Sequence, residues 1–119
     1  MNDPLVYRWT ELTEDAPMPL LARRRIIGNQ AMISRVVLKQ GCEVPSHSHA
    51  NEQFAVLLSG TMRFGLGEPR TTQHREVTLH AGEVLHLPSN LPHSAFAVEE
   101  SVILDVFSPP SQKTGIDKV

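Results

Sequence analysis

The chain has 119 residues, 40% of them hydrophobic, and a formal net charge of −2. This size fits one domain with one core, and the charge balance offers no basic surface for non-specific nucleic-acid binding. One cysteine, Cys42, excludes an internal disulfide and favours a reducing compartment. No apolar run approaches the roughly 20 residues that cross a bilayer. Residues 1–4 do not resemble a signal peptide, so we expect a cytoplasmic protein whose single domain spans residues 1–119.

Short apolar segments separated by turn residues follow one another along the chain. Residues 10–22 are interrupted by Pro17 and Pro19 and predict a loop or a single turn. The three arginines at 23–25 predict a solvated stretch. Segments of four to eight residues that are rich in β-branched or aromatic types predict strands over residues 31–38, 54–58, 61–66, 76–79, 84–87, 94–98 and 101–107.

The pattern as a whole is that of an all-β protein. No segment carries a helical stripe of ten or more residues, and many short strands without intervening helices predict a sandwich or barrel. Ser59-Gly60 lies between two apolar segments and predicts a tight hairpin. The polar residues 111–119 follow a double proline, and we expect them to form a loose tail.

His47 and His49 are two of the six histidines and stand two positions apart. On an extended strand both imidazoles leave the same face; Gln53 shares that face, whereas Glu52 points away. His93 follows a proline-containing turn that is stiff enough to aim its side chain inward. Three imidazoles and one amide oxygen suit a first-row transition metal and leave coordination positions open. The spacing predicts a metal site on these four residues; the alternative is a coincidence on a solvated loop.

The same residues lie in two segments that resemble the signature motifs of the cupin family. Residues 41–60 resemble G-x5-H-x-H-x3-E-x6-G, with Gln53 in place of Glu. Residues 82–97 resemble G-x5-P-x-G-x2-H-x3-N, with Asn90 and Ala97 as departures. The resemblance implies a cupin double-stranded β-helix, a jelly-roll barrel, with one divalent transition metal ion per chain (Ni, Zn, Fe or Mn). It does not indicate the reaction, because this fold carries many activities.

A narrower resemblance spans about residues 31–110. The stretches HSHANEQFAVLLSG, PSNLPHSAFAVEE and LDVFSPP resemble the KdgF-like small cupins of pectin degradation, in which Gln replaces Glu as the fourth ligand. This resemblance implies linearisation of a 4,5-unsaturated uronate, a small anionic substrate, to a 4-deoxy-5-keto uronate. Two other functions stay open: a different cupin enzyme, such as an Fe-dependent dioxygenase, and a non-catalytic protein that binds a small molecule.

Three further residues are candidates for the catalytic site. Asp105 lies in an apolar strand, where a carboxylate is costly unless it is paired or useful, and is the candidate general acid or base. Alternatively it faces solvent or pairs with an arginine. Phe107 is expected to shape the pocket. The KdgF-like pattern has an arginine for the substrate carboxylate after the double proline, where this chain has Ser111. Arg35 is the candidate replacement, or else an ordinary surface arginine.

We also expect a homodimer. Small jelly-roll sheets have exposed edges, and two-fold dimers are the commonest assemblies. Residues 54–58 are apolar on both faces, which suits a strand buried on both sides. His86 either lines the cavity or lies at a dimer contact, and we place it outside the set of metal ligands.

Overall fold

The computed structural model describes residues 4–114. Apart from a 3-10 turn at Trp9–Glu11, the regular structure in this range consists of β-strands. No helix among these residues is long and apolar enough to cross a membrane. The strands are β1 (Asp15–Met18), β2 (Leu21–Ile27), β3 (Met32–Leu38), β4 (Glu43–His47), β5 (Glu52–Ser59), β6 (Thr61–Leu66), β7 (Arg75–His80), β8 (Val84–Leu87), β9 (His93–Ala97) and β10 (Ser101–Ser108).

The strands form two antiparallel sheets. One sheet has six strands in the order β1-β2-β3-β10-β5-β8, and the other has four in the order β4-β9-β6-β7. From β3 onward the chain alternates between the two sheets, except that β6 and β7 are paired neighbours in one of them. This arrangement confirms the predicted all-β jelly-roll barrel.

Alternate side chains along the strands fill the space between the sheets. Leu57 on β5, Met62 on β6 and Leu87 on β8 are fully enclosed there. Burial of a side chain of this size stabilises a fold by about 1.5–3 kcal/mol. Either sheet alone would expose these side chains to water, so the two sheets depend on each other for stability.

The predicted hairpin at Ser59-Gly60 is wrong, because β5 and β6 belong to different sheets. Gly60 instead connects the sheets, with a φ of 94°. A Cβ at this position would lie 2.2 Å from Ser101 Oγ and 2.5 Å from Glu100 O. Both the backbone conformation and the close approach of β10 therefore require glycine here.

The predictions of a loop over residues 10–22 and a solvated arginine run at 23–25 are also wrong. Strands β1 and β2 pair with each other in this region. Arg23 is only 3% exposed, and its Nε and Nη2 lie 3.0 and 3.1 Å from the two carboxylate oxygens of Asp15. Such a two-pronged ion pair compensates for the burial of the guanidinium. Arg24 leaves the other face of β2 and lies 3.8 Å from a Glu14 oxygen.

The prediction of a loose tail is wrong at Thr114. Residues 112 and 113 are exposed, but Thr114 is 4% exposed and lies against the interior of the barrel. Residues 115–119, which complete the predicted tail, lie outside the described residues.

We expect Gly60→Ala to destabilise the protein more than Gly82→Ala. The two glycines have φ values of 94° and 92°, so alanine at either position costs roughly 1–2 kcal/mol of left-handed strain. At Gly60 the added methyl also overlaps the backbone of Glu100 and Ser101, whereas at Gly82 none of the described atoms lies within 4 Å. Chemical denaturation measures both free energies of unfolding, and equal losses would contradict the packing described for the turn.

Candidate metal centre

The candidate site lies between the two sheets. His47 is the last residue of β4 and lies directly opposite His93, the first residue of β9. Directly opposed residues of an antiparallel pair share a face, so both imidazoles leave the same side of the four-stranded sheet. His49 follows in the β4–β5 loop, and Gln53 comes from β5 of the six-stranded sheet. Both sheets therefore supply candidate ligands.

The three histidines lie close enough together to bind one ion. One ring nitrogen each of His47, His49 and His93 lies within 4.8 Å of the other two. Gln53 is 7% exposed, and its Oε1 lies 3.1 Å from His49 Nε2. Glu52 is exposed, as its opposite strand parity predicts. The structure thus brings together the four residues that the sequence predicts as ligands, and the histidine cluster can hold a metal ion.

The orientation of each imidazole is set by a backbone carbonyl. Because a carbonyl only accepts hydrogen bonds, the Nδ1 atoms carry the hydrogen and donate it, which leaves the Nε2 lone pairs available to a metal. The Nδ1–oxygen distances are 2.8 Å from His47 to Pro45, 3.0 Å from His49 to Asn51 and 2.8 Å from His93 to Leu91.

The amide of Gln53 is oriented by Asp105. Its Nε2 donates to Asp105 Oδ1 at 2.9 Å, so its Oε1 turns toward His49. With the hydrogen of His49 on Nδ1, Nε2 and the amide oxygen are two acceptors 3.1 Å apart. Two lone pairs at this distance repel each other unless a cation lies between them. Ligand bonds of about 2.0–2.2 Å at a right angle separate two ligand atoms by about 3 Å, so the donor set fits a first-row divalent ion.

Burial shifts the pKa values in the site toward the neutral forms. Desolvation lowers the pKa of His93 to about 4, against the opposing effect of its hydrogen bond to Leu91, and it also lowers the pKa of His47. Neutral imidazole is the form that binds metals. Desolvation likewise raises the pKa of Asp105 to about 7, and the hydrogen bond from Gln53 opposes this shift.

Asp105 and Phe107 lie in the same small cavity as the histidine cluster. The cavity has a volume of about 50 Å³, and its wall combines apolar side chains of both sheets with a few polar groups. The ring centre of Phe107 is 5.7 Å from that of His49, in an edge-on arrangement. The polar groups and the aromatic ring of the wall belong to His47, Gln53, His93, Asp105, Phe107 and Thr114.

Arg35 does not lie in this cavity. Val36 and Leu38 of β3 line it, whereas Arg35 alternates with them and shares the outer face of the strand with Ile33 and Val37. The expectation that Arg35 replaces a carboxylate-binding arginine is therefore wrong. The parity of β3 separates the two faces, but both carry apolar residues, so the sequence pattern does not show which face is inside.

His86 also lies on the outside of the barrel. Its ring stacks on Phe54 with a centroid distance of 4.7 Å, and its Nε2 lies 2.6 Å from Glu52 Oε2. Of the two positions that the sequence leaves open, lining the cavity is excluded, and the dimer contact stays a prediction.

Asn51 is a site residue that the sequence analysis missed. It is 6% exposed; its backbone oxygen accepts from His49 Nδ1, and its side-chain amide donates to the Pro109 carbonyl. It thereby connects the ligand loop to the segment after β10. A polar loop residue between a histidine and a strand gives no sequence signal for this role, because the contact to Pro109 is a tertiary one.

The structure is a two-sheet barrel with an inward-facing histidine cluster. It therefore belongs to the class of β-barrels that are able to hold a metal ion between their sheets. Residues 34–107 match the Cupin_2 family of cupin domains, and the chain therefore belongs to the cupin family. No curated protein sequence matches the chain.

Solved structures of several cupins resemble this one. KdgF from Halomonas sp. matches with a TM-score of 0.81 at 20% identity, covering 92% of this chain and 97% of that protein. An RmlC-like cupin from Shewanella frigidimarina matches with a TM-score of 0.81 at 17% identity, covering 92% and 95%. Oxalate decarboxylase from Bacillus subtilis matches with a TM-score of 0.80 at 19% identity, covering 92% of this chain and 31% of that one. At these identities the similarity shows the shared fold.

We expect Gln53→Ala to weaken the binding of Ni²⁺ by at least tenfold, because it removes a ligand oxygen. Loss of a residue that only hydrogen-bonds to a metal ligand typically lowers metal affinity by about 10–100-fold, so loss of a ligand should cost at least as much. His93→Ala removes an imidazole and should weaken binding further. Isothermal titration of the metal-free proteins with Ni²⁺ measures all three affinities.

Glu52→Ala is the matched control for Gln53→Ala. Glu52 is adjacent in sequence, but its carboxylate lies on the outside of the barrel against His86. An unchanged affinity in Gln53→Ala, or an equal loss in Glu52→Ala, would refute the ligand assignment.

Proposed function

We propose that the chain is a metal-dependent enzyme that linearises a 4,5-unsaturated uronate to a 4-deoxy-5-keto uronate, as in pectin degradation. The observation that carries the proposal is the position of Asp105, whose carboxyl group lies in the same cavity as the candidate ligands. The sequence resemblance to KdgF-like cupins around Asp105 supports this substrate class over other cupin reactions, and the structural similarity to Halomonas KdgF is consistent with it.

The proposed ligands of one divalent transition metal ion (Ni, Zn, Fe or Mn) are His47, His49, Gln53 and His93. When bound, such an ion acts as a Lewis acid that polarises substrate oxygens. All four ligands are neutral in the orientation described above, so they leave the positive charge of the ion uncompensated and available to an anionic substrate.

Linearisation requires a group that moves a proton. The ring bond from C1 to O5 breaks, the proton of the C1 hydroxyl departs as the aldehyde forms, and C4 receives a proton as the C5 ketone forms. A carboxyl group within reach of both positions can take the first proton and deliver the second. Asp105 Oδ1 is held by Gln53, and among the described residues Oδ2 makes no hydrogen bond. We assign proton transfer to Asp105 Oδ2.

Phe107 is assigned to the wall of the substrate pocket. It is 5% exposed and packs its ring edge-on against the ring of His49. An apolar wall at this place excludes water from the neighbourhood of the ligands and of Asp105, which strengthens electrostatic interactions in the site.

We expect Asp105→Asn to lower kcat by about 10²–10⁴-fold, the usual contribution of general acid–base catalysis. Asparagine retains an oxygen that accepts the hydrogen bond from Gln53, so metal content should stay at the wild-type value. Loss of the double-bond absorbance of an unsaturated galacturonate measures the rate, and elemental analysis measures the metal.

Glu52→Gln serves as the control because it changes a carboxylate outside the cavity. Wild-type turnover by Asp105→Asn would remove Asp105 from the mechanism. A wild-type rate no higher than that of the metal-stripped protein would refute the proposed reaction, and oxygen consumption by an Fe-loaded sample would then favour a dioxygenase.

We further propose that two copies associate through the outer face of the six-stranded sheet, in the cytoplasm, where a single reduced cysteine is expected. Phe54, Leu58 and Val84 are 40%, 51% and 55% exposed on this face. A two-fold contact through this face would cover these three apolar side chains in both copies.

We expect the protein to elute as a dimer and Leu58→Glu to elute as a monomer, because the variant would bury a charge in this interface. Size-exclusion chromatography with light scattering measures both masses. Val98→Glu is the control, since Val98 is an exposed apolar residue of the loop after β9. A monomeric wild-type protein would exclude the homodimer.

A further inference from the structure

The segment that follows β10 closes the cavity that contains the candidate metal ligands. Its beginning is held by the Asn51 amide, which donates to the Pro109 carbonyl. Its middle is held by Arg25, whose Nη1 donates to the Gln112 carbonyl at 2.9 Å. Its last described residue, Thr114, is 4% exposed and forms part of the cavity wall together with Asp105.

With this segment in place the cavity is too small for a sugar acid. Its volume of about 50 Å³ holds only a few water molecules, whereas pockets for small-molecule ligands typically measure about 300–1,000 Å³. A monosaccharide can therefore reach Asp105 only when part of the wall moves. Of the residues that line the cavity, Thr114 is the one that lies outside the strands, so it and the residues before it are the part of the wall best able to leave.

Arg25 does not line the cavity, but its guanidinium contacts the Gln112 carbonyl, so movement of the segment frees space next to it. Arg25 lies opposite Ser34 in the β2–β3 pair, and Ser34 lies opposite Asp105 in the β3–β10 pair. The three residues form one row across the inner face of the sheet, in which two strand spacings of about 4.8 Å separate Arg25 from Asp105. Ser34 has a short side chain and is 3% exposed, so it leaves room for a guanidinium to extend along the row.

A substrate carboxylate can displace one partner of Arg25, the Gln112 carbonyl, and can bind beside the other, Asp15. The Gln112 carbonyl is a neutral acceptor. Asp15 approaches Arg25 only to 3.6 Å, because its carboxylate is already engaged by Arg23 at 3.0 Å. A substrate carboxylate offers two oxygens and a full negative charge, and charge-assisted hydrogen bonds are roughly twice as strong as neutral ones. The Arg25 side chain is 21% exposed, so a ligand can reach it.

We propose that Arg25 binds the carboxylate of the substrate after residues 111–114 leave the cavity. This inference rests on the proposed function, because it assumes a uronate beside Asp105. Thr114 and the Gln112 carbonyl then compete with the substrate from within the chain. Thr114 fills part of the cavity and the Gln112 carbonyl binds Arg25 until an anionic sugar replaces them. The apparent affinity for the sugar is lowered by the fraction of molecules in which the segment is seated.

The test compares galacturonate with galactose, which has the same ring but no carboxylate, as ligands of the Ni²⁺-saturated full-length protein. We expect Arg25→Gln to weaken galacturonate binding by at least tenfold and to leave galactose binding unchanged. Arg24→Gln is the matched control: Arg24 is the next residue toward the N-terminus, on the opposite face of β2, near Glu14. Because the readout is a ratio of two ligands, partial unfolding of a variant does not imitate the result.

A second variant tests the role of the segment, and here we expect galacturonate binding to become tighter rather than weaker. Thr114→Ala removes contacts that seat the segment in the cavity, so galacturonate binding should become several-fold tighter; Lys113→Ala, an exposed neighbour, should leave it unchanged. Weaker binding in Thr114→Ala would mean that Thr114 serves as a substrate contact and would overturn the competitor role.

Equal losses in Arg25→Gln and Arg24→Gln, or a wild-type protein that binds galacturonate no better than galactose, would overturn the assignment of Arg25. Failure of the proposed reaction gives a different result. In that case galacturonate binding depends on Arg25, but the unsaturated uronate is not turned over. If Arg25→Gln turns over the unsaturated uronate with an unchanged KM, the inference about Arg25 is refuted while the proposed function stands.

Discussion

The pairing of β4 with β9 is the interaction on which the candidate site depends. It places His47 directly opposite His93, although the two residues belong to motifs that are distant in the sequence. Gln53 must then approach from the other sheet, which requires the two sheets to pack as they do around Leu57 and Met62. The geometry of the site is thus a consequence of the core: any loss of sheet packing separates the amide ligand from the imidazoles.

Polar groups inside the barrel are stable because they form chains of hydrogen bonds. The Asn51 carbonyl accepts from His49, and Asp105 accepts from Gln53; between these two bonds the acceptors His49 Nε2 and Gln53 Oε1 face each other, and a bound cation would join them. In a low-dielectric interior, such linked groups strengthen one another, and an unpaired member is costly. The same linkage couples the groups assigned to metal binding and proton transfer.

Strand periodicity predicts an all-β barrel, and motif spacing with the family resemblance predicts the jelly roll and the four candidate ligands. The parity argument for Gln53 assumes one extended strand from His47, which is wrong, because His47 ends β4 and Gln53 lies on β5 of the other sheet. β1 and β2 are missed because prolines and three arginines hide their alternation, and the ion pair of Arg23 with Asp15 joins residues of two neighbouring strands. Arg35 is placed on the wrong face because β3 is apolar on both sides. Tertiary contacts, which the sequence pattern does not show, determine both the pairing of β1 with β2 and the face on which Arg35 lies.

The carbonyl groups that orient the three imidazoles belong to Pro45, Asn51 and Leu91, and each is two residues from its histidine. The orientation of the three imidazoles is therefore encoded in very short stretches of chain, whereas Gln53 depends on Asp105 of β10. Residues of the cavity wall on β2 can change by mutation without disturbing the imidazoles. This separation allows one metal-binding scaffold to acquire new substrates during evolution while its inorganic chemistry is preserved.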